Sequence, residues 1–167
     1  MAADSACEKT KMDTVMKNCF ETDLQAFLKL RSAHLSKPNA DVRYTCLDWT
    51  TNKCSKVPDA PLGNDFGPPC IRHDFCYGNL EQLNKDKFKN SWRAQVDKIF
   101  HDDLLNACPA PGDRTAADKL GGLLSAAWSK TALGWLVKKI NNNKEILPLS
   151  CENAANLYYK GVRAFGG

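Results

Sequence analysis

The chain has 167 residues, eight cysteines and a formal net charge of +4. That length can bury a real core without crosslinks, and 1–167 reads as a single domain. The mildly basic balance suits an anionic surface such as a membrane. The 23 basic residues are scattered among 19 acidic ones, with no basic stripe interleaved with aromatics, which argues against a nucleic-acid partner.

The cysteines run from Cys7 to Cys151 without clustering. An even, dispersed set points to disulfides and an oxidising, extracellular setting. The first twenty residues contain Asp4, Glu8, Lys9, Lys11 and Asp13 and no apolar stretch of signal-peptide type, so a secreted protein would be represented by its mature form. No apolar run approaches the ~18 residues of a spanning helix. The longest, from Leu120 to Ser129, stops at Lys130.

From about Ser5 to Leu35 the pattern predicts helix. Val15, Phe20, Leu24, Phe27, Leu28 and Leu35 recur at helical spacing. A break is expected near Asn18, with Glu21, Thr22 and Asp23 opening a second helix. Pro38-Asn39-Ala40-Asp41 punctuates its end. Thr45 to Pro69 is rich in Asn, Asp, Gly and Pro, which make turns and offer backbone carbonyls rather than ladders. Such a long loop inside a compact domain is usually functional.

Pro69 suits the first turn of a helix, predicted over about Cys70 to Asn84. A polar link, Lys85 to Asn90, leads to a second helix over about Ser91 to Ala107, with Trp92, Val96, Ile99, Phe100 and Leu104 as its buried stripe. A short link makes antiparallel neighbours. Cys108-Pro109-Ala110-Pro111 is a stop. An apolar, apparently helical segment follows from Ala116 to Ile140, and a last helix covers about Cys151 to Phe165. No strand pattern emerges. The expected fold class is all-α.

The string Cys70-Ile71-Arg72-His73-Asp74-Phe75-Cys76-Tyr77 carries most chemical content. A histidine titrates near neutrality and can serve as a general base for water-mediated ester hydrolysis. The base needs an orienting carboxylate, and the developing oxyanion needs a positive group, which a cation supplies. His73 is the candidate base. Asp74 projects about a quarter-turn away, free to hold a calcium ion together with loop oxygens. Asp97 borders the stripe of the second helix and is the candidate partner of His73, with Asp103 as rival. The same C-x2-H-x2-C spacing would also suit zinc, although the neighbouring Asp74 and the dispersed cysteines oppose it.

The C-x-x-H-D-x-C-Y string resembles the active-site helix of secreted phospholipases A2. The form C-I-R-H-D-F-C-Y-G-N resembles the bacterial and fungal branch. Leu47–Cys54 is similar to that branch's loop before the catalytic helix, Pro58–Gly63 to its P-D-N-P-x-G stretch, and Asn156–Gly166 to its terminal helix. The resemblance implies a disulfide-stabilised helical domain with two antiparallel active-site helices and a long calcium-binding loop. It implies hydrolysis of the sn-2 ester of a glycerophospholipid at a membrane or micelle surface. It makes His73 the base, Asp97 its orienting partner, Asp74 the main calcium ligand and Tyr77 part of the hydrogen-bond network. It also implies bridges Cys54–Cys70 and Cys108–Cys151. For the remaining cysteines, Cys7–Cys19 with Cys46–Cys76 closes short or neighbouring segments, although sequence cannot fix the pairing.

Two departures stand out. Asn52 occupies the place of an aspartate ligand in the calcium loop, and Lys53 beside it offers only its backbone carbonyl. An amide oxygen still coordinates, but one negative charge is lost, so weaker calcium binding is expected. The segment from about 109 to 150 is an insertion carrying Trp128 and Trp135. It reads equally well as a lipid-contacting helix and as an extra core or dimer helix. A second functional reading keeps the fold and drops turnover: a phospholipase-like, toxin-type subunit that binds a membrane or receptor.

Overall fold

A computed structural model describes residues 2–54, 64–109 and 150–165. Among these, every regular element is helical, as the all-α reading expects. Helix α1 is Ala2–Phe20 and α2 is Leu24–Ser36, followed by a 3-10 turn at Val42–Tyr44. Helix α3 is Gly67–Leu83, α4 is the single turn Lys85–Lys87, and a π-helical turn over Phe88–Trp92 leads into α5, Arg93–Asn106. Helix α6 is Cys151–Phe165, where the sequence placed its last helix. Most of the 109–150 insertion lies outside the described residues.

Local chemistry sets the helix ends. The break between α1 and α2 falls after Phe20, two residues beyond the expected Asn18. Asn18 stays helical because its amide donates back to the Thr14 carbonyl (2.8 Å). The amides of Glu21 and Thr22 both close on Lys17 O, which ends α1. Asp23 then caps α2, its carboxylate accepting from Ala26 N at 2.9 Å. The expected polar link 85–90 is instead wound into α4 and the π turn. Asn84 caps it through Lys87 N (2.9 Å), and Phe88 is buried with its ring edge-on to Tyr77 (4.9 Å). The many lysines there hid one apolar anchor.

Two compact units are present. The first takes residues up to Asn52 and Ile71–Val96. Val15, Phe27, Trp49, Phe75, Leu80 and Trp92 anchor its core. Phe27 packs against Phe75 (5.1 Å between ring centroids) and Trp49 (6.3 Å). Leu35, expected on the same stripe, is exposed. Because Phe27 is fully buried, Phe27→Ala is expected to cost about 3–5 kcal/mol in urea denaturation.

In the same unit the His34 ring stacks on Trp49 at 4.8 Å. Burial lowers the His34 pKa, with Asp41 pulling the other way. The unfolded chain therefore binds this proton first as pH falls through about 6.5. Stability carried by neutral His34 is complete above that range and declines below it. His34→Phe is expected to flatten the fall in urea midpoint between about pH 7 and pH 5.

The second unit takes Lys53–Cys70 and Asp97 onward. Its core holds Phe66, Phe100, Leu104, Ala154, Ala155 and Tyr158, with Phe66 edge-on to Tyr158 at 5.2 Å.

All eight cysteines are paired. Cys54–Cys70 and Cys108–Cys151 lie in the second unit, and Cys7–Cys46 and Cys19–Cys76 in the first. The last two correct the expected Cys7–Cys19 and Cys46–Cys76 pairs. Cys7 and Cys19 stand on one continuous helix, roughly 18 Å apart at 1.5 Å per residue, far beyond the ~7 Å limit for a bridge. With no thiol left free, the zinc reading falls as well.

Candidate active site

Helix α3 opens with Gly67-Pro68-Pro69, whose missing amide hydrogens cost nothing in a first turn. The next residue, Cys70, is bridged to Cys54. Cys76 is bridged to Cys19 of α1. His73 and Asp74 therefore sit between two covalently anchored positions of one helix.

The first unit brings together Asp74 and the loop before α3. Asp74 Oδ2 accepts from Thr51 Oγ1 at 2.6 Å and from the Asn52 amide at 3.1 Å. A half-buried carboxylate thus meets Asn52, one of the two loop residues the sequence assigned to cation binding, and Thr51, which it did not assign. Its neighbour His73 lies 4.2 Å from the Tyr77 ring. The Tyr77 hydroxyl accepts from Arg93 Nε at 3.3 Å. Arg72, one residue earlier, is buried and donates to Thr22 O at the turn between α1 and α2 (2.6 Å).

Lys53 and Asp97 belong to the second unit. Lys53 is the one described non-glycine residue with positive φ, at 54°. That left-handed conformation costs an ordinary residue about 1–2 kcal/mol. It lies immediately before Cys54, whose bridge holds the chain there. Asp97 is fully buried, and its Oδ2 accepts from Arg163 Nη1 of α6 at 2.8 Å. Asp103, the rival carboxylate, is buried too. A buried carboxylate needs a partner, and the sequence expectation left Arg163 out. Its only signal was a cation on the terminal helix, and nothing in the pattern says which carboxylate it meets.

Among the described residues no three His, Cys, Asp or Glu side chains form a metal cluster. The oxygen donors at hand in the first unit are the Asp74 carboxylate and the oxygens of Thr51 and Asn52 beside it. Hard oxygen donors of this kind fit calcium and do not fit a soft metal.

A family model of prokaryotic phospholipase A2 matches residues 15–121, and the chain belongs to that family. A secretory phospholipase A2 of Arthroderma benhamiae is 39% identical over 89 residues, 53% of this chain and 53% of that protein. One of Beauveria bassiana is 29% identical over 157 residues, 94% of this chain and 60% of that protein. The chain therefore spans between half and two thirds of the length of these curated relatives.

Proposed function

We propose that the chain is a secreted, calcium-dependent phospholipase A2 that hydrolyses the sn-2 ester of glycerophospholipids at a membrane or micelle surface. The observation that carries this reading is the Asp74 carboxylate gathered onto Thr51 and Asn52, one residue from His73, within the segment shared with the family. The secretory character of both relatives and the four disulfides support an extracellular setting.

In this reading Asp74, the Asn52 amide oxygen and the Lys53 carbonyl hold calcium. When bound, the ion would supply positive charge at the developing oxyanion. His73 takes a proton from the attacking water and returns it to the leaving alkoxide. Asp97 fixes the imidazole tautomer and stabilises the imidazolium. The Arg163 guanidinium, 2.8 Å away, gives the buried Asp97 carboxylate a charged partner. The products are a fatty acid and a lysophospholipid.

Asn52 favours the second reading, a catalytically weak, membrane- or receptor-binding relative, because one ligand charge is missing. Asn52→Asp tests how much this matters. Calorimetric titration is expected to show calcium binding tightened on the order of tenfold. An unchanged dissociation constant would remove Asn52 from the ligand set. Vesicle binding without fatty-acid release, at saturating calcium, would move the assignment to the binding protein.

A further inference from the structure

We propose that Asn79 is a positioning residue that fixes the calcium loop on α3 before the ion arrives. The inference rests on the calcium reading above. Asn79 is fully buried, and its amide makes three hydrogen bonds. Oδ1 accepts from Asp48 N at 2.9 Å, and Nδ2 donates to Asp48 O and to Phe75 O, both at 2.8 Å. Towards Asp48 the side chain behaves as a strand-like peptide group. It satisfies both the amide and the carbonyl of a residue that lies outside any helix. Of the side chains of this size, only an amide has both a donor and an acceptor for this task. Aspartate lacks the donor and leucine lacks both.

The preceding residue allows the approach. A Cβ built on Gly78 would stand 3.3 Å from Asp48 Oδ2, so a larger side chain there pushes on the loop. From Asp48 the chain is folded tightly onward. Asp48 Oδ1 accepts from Thr50 N (2.9 Å) and Thr50 Oγ1 (2.6 Å). Thr51 and Asn52 then reach Asp74 on the same helix. Trp49 between them is pinned too, its Nε1 donating to Tyr44 O (3.0 Å) and its carbonyl accepting from Arg31 (3.2 Å). The loop is thus held to α3 at two points, Asn79 and Asp74, and the first of these leaves the carboxylate assigned to the ion untouched. A loop ordered in advance spares the metal the entropy of ordering it.

The test uses Asn79→Ala and, with Asn79 intact, Gly78→Leu. Calcium affinity is read by calorimetry and amide exchange by mass spectrometry on the calcium-free protein. In both variants the calcium dissociation constant is expected to rise about tenfold, with lost turnover recovered by added calcium. Exchange at Thr50 and Asn52 is expected to quicken about tenfold as well. If Asn79→Ala does not fold, Gly78→Leu decides. A folded variant with wild-type calcium affinity and wild-type exchange at Asn52 overturns the proposal. Wild-type protein that binds no calcium overturns the calcium reading instead, and the exchange measurement still decides whether Asn79 holds the loop.

Discussion

His73→Ala is expected to lower fatty-acid release from phospholipid micelles by a factor on the order of 10⁴ while calcium still binds. Asp74→Asn is expected to lose calcium binding and release together. The two adjacent residues separate because the proposed roles differ. His73, beside the Tyr77 ring, carries no charge that a cation needs. Asp74 is the carboxylate that takes Thr51 and Asn52 of the loop onto one oxygen. In the proposed ligand set its neutral amide would remove a full charge, beside an asparagine at position 52 that already carries none. Calcium titration beside a turnover assay checks both. Calcium binding lost in His73→Ala, or retained in Asp74→Asn at wild-type affinity, contradicts the division of roles.

Removing the Cys19–Cys76 bridge is expected to have the largest effect on stability. It ties α1 to the active-site helix across a sequence separation of 57 residues. Loop-closure entropy for that span is about 4 kcal/mol, which for a chain of this size corresponds to roughly 10 °C in melting temperature. Both sulfurs are buried in the first core beside Val15 and Phe75, so Ser replacements add the cost of burying hydroxyls. Cys19→Ala with Cys76→Ala is the cleaner variant. A melting temperature within about 2 °C of wild type would show that packing alone holds α1 on α3.

The chemistry-bearing string was the most legible part of the chain because its residues are adjacent. Local covalent spacing alone put a base, a carboxylate and two cystine anchors into two turns of helix. The α6 boundaries were legible for a similar reason, since Cys151 follows Asn141-Asn142-Asn143 and Pro148 and the helix runs to Phe165. What escaped depended on contacts distant in sequence. Asn79 appeared only as the tail of the G-N pair, and its partner Asp48 lies 31 residues away. Arg163 meets Asp97 across 66 residues. The pairing of Cys7 with Cys46 and of Cys19 with Cys76 required knowing that α1 is unbroken through Asn18. Phe88 was lost among lysines because a π turn, with its wider repeat, does not keep the 3.6-residue spacing used to find buried positions.

Asp97, at the border of the apolar stripe of α5, is fully buried. Complete burial with a cation at 2.8 Å is costly unless the charge is used or structurally required. Arg163→Met is therefore expected to lower turnover and stability together, with Arg163→Lys recovering part of both. The half-exposed guanidinium makes the stability loss smaller than the ~3–5 kcal/mol of a fully buried pair.

Fatty-acid release from phosphatidylcholine micelles tests the proposed calcium-dependent phospholipase activity most directly. Release in millimolar calcium that a chelator abolishes and that added calcium restores is the expected result. Release that persists in the chelator, or no release at saturating calcium from folded protein with its disulfides intact, would contradict it.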